Sequence, residues 1–200
     1  YRPIDNCKRN NSYYYINWKV SNHMSTLSVD TITGQTTAAN VKLPAGCILQ
    51  VLSTTKTDEF TTSSAGPIDI TGLSVNITPK YATSKVLVMF NVHIVGNDSG
   101  TGIRLLRGST ALGLGDTAGS RARMTAIGYY SNNTSPSAYS GGNTSMTFLD
   151  SPATTSATTY KLQAQCLSTQ GIAVNKTRYD TDNGNASRGS STITVMEISV

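Results

Sequence analysis

The stretch S-K-V-L-V-M-F-N-V-H-I-V, Ser84 to Val95, is the longest dense apolar run in the chain. It is rich in β-branched residues and holds neither Gly nor Pro. At this length and composition it reads as a strand covered on both faces, not as an amphipathic helix. Upstream, Leu73, Val75 and Ile77 alternate with Ser74, Asn76 and Thr78, the pattern of a strand with one wet face. The last ten residues repeat it, with Ile193, Val195 and Ile198 set among Thr192, Thr194 and Glu197. A buried central strand flanked by half-buried ones predicts a β-sandwich.

Outward from this stretch the same punctuation continues. Strands are expected at 47–53, 68–78, 85–95, 103–107, 111–114, 121–130, 144–149, 158–167, 172–175 and 191–199, with a weak edge strand around Phe60. Gly108-Ser109 marks a hairpin, 131–143 is a loop with Pro136, Gly141 and Gly142, and 179–189 is the last long loop. No segment shows helical periodicity. The fold class is therefore all-β, an antiparallel β-sandwich or jelly roll.

Composition agrees with this and bounds the function. The 200 residues suit one domain, or one domain with a tail. Only 14% are charged, with Ser, Thr, Asn and Gly filling the difference, which gives a neutral-polar surface. Residues 1–23 hold Arg2, Lys8, Arg9 and Lys19 against Asp5, a charge of +3. The remaining 177 residues hold 12 basic and 10 acidic side chains, a charge of +2. A nearly neutral body has no basic stripe to track phosphates, so nucleic acid is not expected as a partner. No apolar run is long enough to span a membrane, and membrane insertion is not expected. Three widely spaced cysteines, Cys7, Cys47 and Cys166, support neither a disulfide framework nor a zinc site. Cys166 falls in a strand alternation, as a small hydrophobe. Residues 1–23 carry the only Trp and four of the ten tyrosines, and at Met24 the composition shifts. The expected organisation is a leader over 1–23, a linker or attachment segment over 24–46, and a β-sandwich over 47–200. The leader reads either as a flexible or artefactual segment or as a docking arm.

Motifs for chemistry are weak. Asp180-x-Asp182-x-Gly184 begins like a calcium loop, but Gly184 stands where another oxygen ligand belongs and Ser191 where a Glu belongs. The glycines at 113, 115 and 119 lack both the spacing and the following helix of a phosphate loop. His23 and His93 are the only histidines, and His93 lies within the central strand, where a core or interface role is the default. No metal or cofactor is expected. The loop aromatics are more suggestive. Tyr129, Tyr130 and Tyr139 border or occupy the 131–143 loop, and Arg178 and Tyr179 open the last long one. Rings on polar loops stack on sugar faces or anchor protein contacts, though they also pack beneath their own loops.

A series of motifs carries a resemblance: M-S-T-L-S-V-D-T-I-T-G from Met24, V-K-L-P-A-G from Val41, L-Q-V-L-S-T-T-K-T-D from Leu49 and T-G-L-S-V-N-I-T-P from Thr71. It continues with S-K-V-L-V-M from Ser84, R-L-L-R-G-S-T-A from Arg104, F-L-D-S-P-A-T-T-S-A-T-T-Y-K-L-Q from Phe148 and S-T-I-T-V-M-E-I from Ser191. In this order they resemble a family of bacteriophage virion proteins, the tail-fibre or phage structural proteins, over nearly all of 24–200. The resemblance implies a non-enzymatic structural or adhesive module. It also implies a trimeric jelly roll, akin in shape to the globular heads of complement and tumour-necrosis-factor proteins. The motif residues would be scaffold, and the loops 96–102, 131–143 and 178–189 would make contacts. The implied location is the virion, and the implied partners are two further copies of the chain, other virion proteins and a host surface glycan or protein. The expected role is a tail-fibre or receptor-binding domain. The alternative is a capsid decoration or cement protein on the head. A depolymerase would need a positioned acid–base pair, and none is legible.

Overall fold

The computed structural model describes residues 43–96, 100–131, 139–167 and 171–200. The boundaries expected at residue 24 and within 1–42 lie outside the described residues. The described residues form eleven strands: β1 (Ile48–Lys56), β2 (Phe60–Thr62), β3 (Gly66–Ile77), β4 (Lys85–Gly96), β5 (Gly102–Arg107), β6 (Thr110–Leu112), β7 (Ala126–Ile127), β8 (Gly142–Asp150), β9 (Thr158–Cys166), β10 (Ile172–Val174) and β11 (Ser191–Ile198).

They make two antiparallel sheets. The first runs β1-β11-β4-β10-β2, with β8 on the other edge of β4; the second runs β3-β9-β5-β6, with β7 beside β6 on β5. β4 is the hub. One of its edges serves β11 along 85–91 and then β10 along 94–96, while the other serves β8 along 86–94. The first and last strands pair, and β3, β4 and β5 alternate between sheets, as do β8, β9 and β10. This is a jelly-roll-like arrangement.

The core lies between the sheets. From β4 it takes Val86, Val88, Phe90, Val92 and Ile94; from the facing sheet it takes Leu73, Val75, Ile77, Ile103, Leu105, Tyr160, Leu162 and Cys166. Each fully buried aliphatic side chain stabilises the fold by roughly 1.5–3 kcal/mol. β4 is not covered on both faces, which corrects the expectation from its sequence. Leu87, Met89 and His93 are only half-buried and Asn91 is exposed. A dense apolar run shows that one face must be buried. It does not show whether a second layer exists: among the described residues no second sheet covers Leu87, Met89 and Asn91, while Val95 at the far end of the same face is fully buried. A second correction concerns 121–130, where only Ala126–Ile127 forms a strand. The preceding residues form a turn held by Gly115 N–H donating to Met124 O and by Thr125 Oγ1 donating to Leu112 O.

Buried polar groups tie the layers. Asp150 ends β8 in the first sheet. It accepts bonds from Arg107 Nη1 at 2.8 and 2.7 Å and from Tyr160 Oη at 2.6 Å. Arg107 and Tyr160 are register partners in the second sheet, so one carboxylate clamps both layers. Burial, then the neighbouring carboxylate, pushes the Tyr160 phenol far above its usual range. Glu197, buried in β11, accepts from Gln50 Nε2 at 2.6 Å and from the N–H groups of Lys80 and Tyr81 at 2.7 and 3.4 Å. It anchors the β3–β4 turn to β11 and β1. Burial by itself would raise the Glu197 carboxyl, but these hydrogen bonds outweigh it and hold it below its ordinary value.

Two expected outcomes follow from these clamps. Asp150→Ala strands a guanidinium and a buried hydroxyl, so it should cost about 3–5 kcal/mol, and Tyr160→Phe only about 1.5–3 kcal/mol; urea unfolding of both variants checks the order. The stabilisation from Glu197 is fully present above the ordinary glutamate value of 4.5 and is lost as pH falls through its lower folded value. Glu197→Gln should therefore flatten the acid limb of stability against pH.

Candidate functional site

β4 ends at Gly96, and the loops beyond it gather there. Gly96 N–H donates to Tyr129 O at 2.7 Å, Ser131 N–H donates to Gly96 O at 3.1 Å, and Tyr130 forms a parallel bridge with Gly96. The segment 129–131 thus extends the sheet at the end of its central strand. Successive side chains of an extended segment point to opposite sides, and both Tyr129 and Tyr130 remain substantially exposed. Tyr129 lies against Gly142 at the start of β8, where an added Cβ would come within 2.7 Å of the Tyr129 Cβ.

The last long loop reaches the same place. Arg178 Nη1 donates to Ser131 O at 3.0 Å, and Thr177 Oγ1 donates to Tyr179 O at 2.8 Å. The rings of Tyr139 and Tyr179 meet edge to face, with centroids 5.9 Å apart and planes at 83°. The five residues named from sequence, Tyr129, Tyr130, Tyr139, Arg178 and Tyr179, are therefore neighbours at one end of the sandwich. Residues 97–99 and 132–138 of the expected contact loops lie outside the described residues.

The residues that hold this end are ones that sequence reasoning missed. Asn175, fully buried after β10, has a left-handed backbone (φ 64°), which Asn adopts more readily than most residues. Its Nδ2 donates to Lys56 O and Asp58 O, both at 2.9 Å, and its Oδ1 accepts from Ser191 Oγ at 2.6 Å. Its N–H donates to His93 O. Through its side-chain amide and its backbone, Asn175 joins β1, β4 and β11 at the end of β10. Nearby, Glu59, Lys176, Asp180 and Arg188 form a closed ring of alternating charge. The four N···O distances are 3.1 Å (Lys176–Glu59), 3.2 Å (Lys176–Asp180), 2.6 Å (Arg188–Glu59) and 2.6 Å (Arg188–Asp180). Hydrogen bonds from Arg188 and then Lys176 hold the Glu59 carboxyl down to about 2, and Glu59 in turn raises Arg188. Both cations were legible as charges. Their partner Glu59 is more than a hundred positions away, and no local spacing reveals it.

Beside the ring opens a cleft of about 530 Å³ lined by Thr61, Thr62, Ser63, Gly171, Lys176 and Arg178, with Ile172 and Ala173 at its wall. Hydroxyls, a backbone turn and cationic side chains suit a polar ligand. The cationic charge is largely answered locally, since Lys176 pairs with Glu59 and Asp180. Among the described residues no three His, Cys, Asp or Glu side chains converge as metal ligands would. Asp180 serves the ion ring. No helix among the described residues is long and apolar enough to cross a membrane.

No family model matches the chain, and no curated protein matches it. Among solved structures it is similar to a chain in the structure of infectious bursal disease virus, Gx strain, at 14% identity and a TM-score of 0.35. The match covers 87% of this chain and 42% of that one, so the chain spans less than half the length of its structural neighbour. At that score the likeness carries no argument about function.

The ion ring gives a direct test. Glu59→Gln removes the charge shared by Lys176 and Arg188, so amide exchange over 176–188 should accelerate at low salt. The gap from the parent chain should narrow in 1 M salt, because exposed pairs are screened.

Proposed function

We propose that the chain is a phage virion structural protein, and that its β-sandwich is a tail-fibre or receptor-binding domain attaching to a host surface glycan or protein. The observation that carries this reading is the gathering of Tyr129, Tyr130, Tyr139, Arg178 and Tyr179 at one end of the sandwich, beside a hydroxyl-lined cleft. Exposed rings offer faces for sugars, and hydroxyls offer hydrogen bonds for theirs. In this reading residues 24–46 attach the domain, residues 1–23 are a leader, and the role is adhesive, without a catalytic step.

The proposed assembly is a homotrimer. Its support is a row of apolar side chains on the outer face of the first sheet. Val51 pairs with Met196, Met196 with Leu87, and Leu87 with Leu149, one residue from each of four adjacent strands. Three inter-strand gaps make this row roughly 14 Å long. Val51 and Leu149 are about half exposed, at 51% and 50%. Thr194, Met89 and Thr147 run beside the row, and neither row carries a charge. An uncharged apolar face is compatible with a second copy of itself, because no like charges are brought together. Three copies would raise weak single-site binding through effective concentration.

The test uses the full chain. Light scattering should give a mass near three chains, and Leu87→Glu with Leu149→Glu should reduce it to one. On an array of bacterial surface polysaccharides, Tyr130→Ala with Tyr179→Ala should abolish retention while the trimer mass persists. Antibody against the chain should decorate tails. Decoration of heads, with no retention of an intact trimer, favours the capsid decoration or cement role and overturns the attachment reading.

A further inference from the structure

His93 projects from β4 on the side opposite the core, while its neighbours Val92 and Ile94 point inward and are fully buried. Two loop backbones close on its ring. A Cβ added at Gly141 would lie 2.7 Å from both Cε1 and Nε2, and one added at Gly189 would lie 2.8 Å from Cγ. Only glycine lets the chain approach an imidazole this closely from both directions. The two grips belong to the two loops of the proposed contact end: Gly141 lies two residues after Tyr139, and Gly189 lies one residue after Arg188.

The ring's Nδ1 is buried and has no hydrogen-bond partner. Among the described residues no acceptor stands within hydrogen-bonding distance of Nδ1. From β8, Asn143 stands opposite His93. From the 139–141 side the titratable group is Tyr139. From the approach to β11 it is Arg188, and from the exit of β10 it is Lys176, and both cations are bound to Glu59 and Asp180. Ser191 Oγ is taken by the His93 backbone N–H and by Asn175. Among the described residues no carboxylate bonds the ring.

We propose that His93 is an acid-sensitive latch: neutral, it packs between Gly141 and Gly189 and keeps the 139–142 and 185–190 segments closed over the end of β4, and protonated, it releases them. Protonation places an N–H on Nδ1 where no acceptor stands, and a charge between two backbone walls. The strain is relieved when the ring swings out or the glycine segments lift, which frees Tyr139 from Tyr179. Burial holds the imidazole below its usual 6.5. The stabilisation is therefore complete above that value and is lost as pH falls through the lower folded one. The device stands whether or not these loops bind a receptor.

The test is hydrogen exchange of the full chain between pH 7.5 and 5.0, corrected for intrinsic rates, with the His93 Cε1–H followed by NMR over the same range. Amides of 139–142 and 185–190 should lose protection several-fold, with a midpoint matching the His93 titration, while those of 86–92 stay protected. His93→Gln, or His93→Asn if the first does not fold, should remove the pH response. Loops that remain closed once His93 is charged overturn the latch. So does loop opening at a pH unrelated to the His93 titration, or an unchanged response in the neutral variant.

Discussion

A central strand must satisfy hydrogen-bonding groups on both of its edges, and β4 meets that demand with three partners. β8 covers one edge. β11 covers most of the other, and β10 takes over where β11 has left. This handover fixes where the last long loop must run, because the chain has to leave β10 and come back to β11 along the same edge. The core follows from the same strand, since the residues on its inward face meet β3, β5 and β9 across the sandwich. Its outward face is left half-wet. That leaves an apolar row near the start of the strand and an enclosed histidine near its end.

Fully partnered polar groups give this framework its specificity. Asp150 spans the two sheets, Glu197 fixes the β3–β4 turn, and Asn175 joins β1, β4 and β11 through its side-chain amide and its backbone. A buried polar group without partners costs more than an apolar one, so each of these permits one local arrangement and penalises the rest. The exposed ion ring around Glu59 differs in kind. Water and salt weaken each pair, and its contribution is to steer the loop rather than to hold the fold.

The site inherits its geometry from these constraints. The 129–131 segment reaches the end of β4 through Gly96, and Arg178 reaches the same segment through Ser131. Tyr139 and Tyr179 then meet because their loops flank the same strand end. The close approach of Gly141 and Gly189 to His93 adds a point where a single proton bears on both loops.

Strand positions were legible because alternation is local: Leu73, Val75 and Ile77 face the core as their spacing requires, as do Ile193 and Val195. At the end of β11 the expectation fails, since strict alternation buries Glu197 and leaves Ile198 only half-buried. Cys166 packs as a small hydrophobe, and Gly108 turns the hairpin between β5 and β6. The tyrosines were legible as loop aromatics. Their convergence was not, since it depends on Gly96, Ser131 and Gly142, residues with no distinguishing pattern. The turn before β7 looked like a strand because it has apolar and β-branched residues, and side-chain capping by Thr125 won instead. By itself, then, the sequence determined an all-β chain, the faces of its alternating strands and which aromatics lie in loops, because each of these is set within a few residues. Only the tertiary structure decided that the outer face of β4 is half-wet over Leu87 to Asn91, that Asp150 and Glu59 find partners far along the chain, and that two glycines close on His93. Those outcomes depend on which distant segments become neighbours, and local pattern does not encode that.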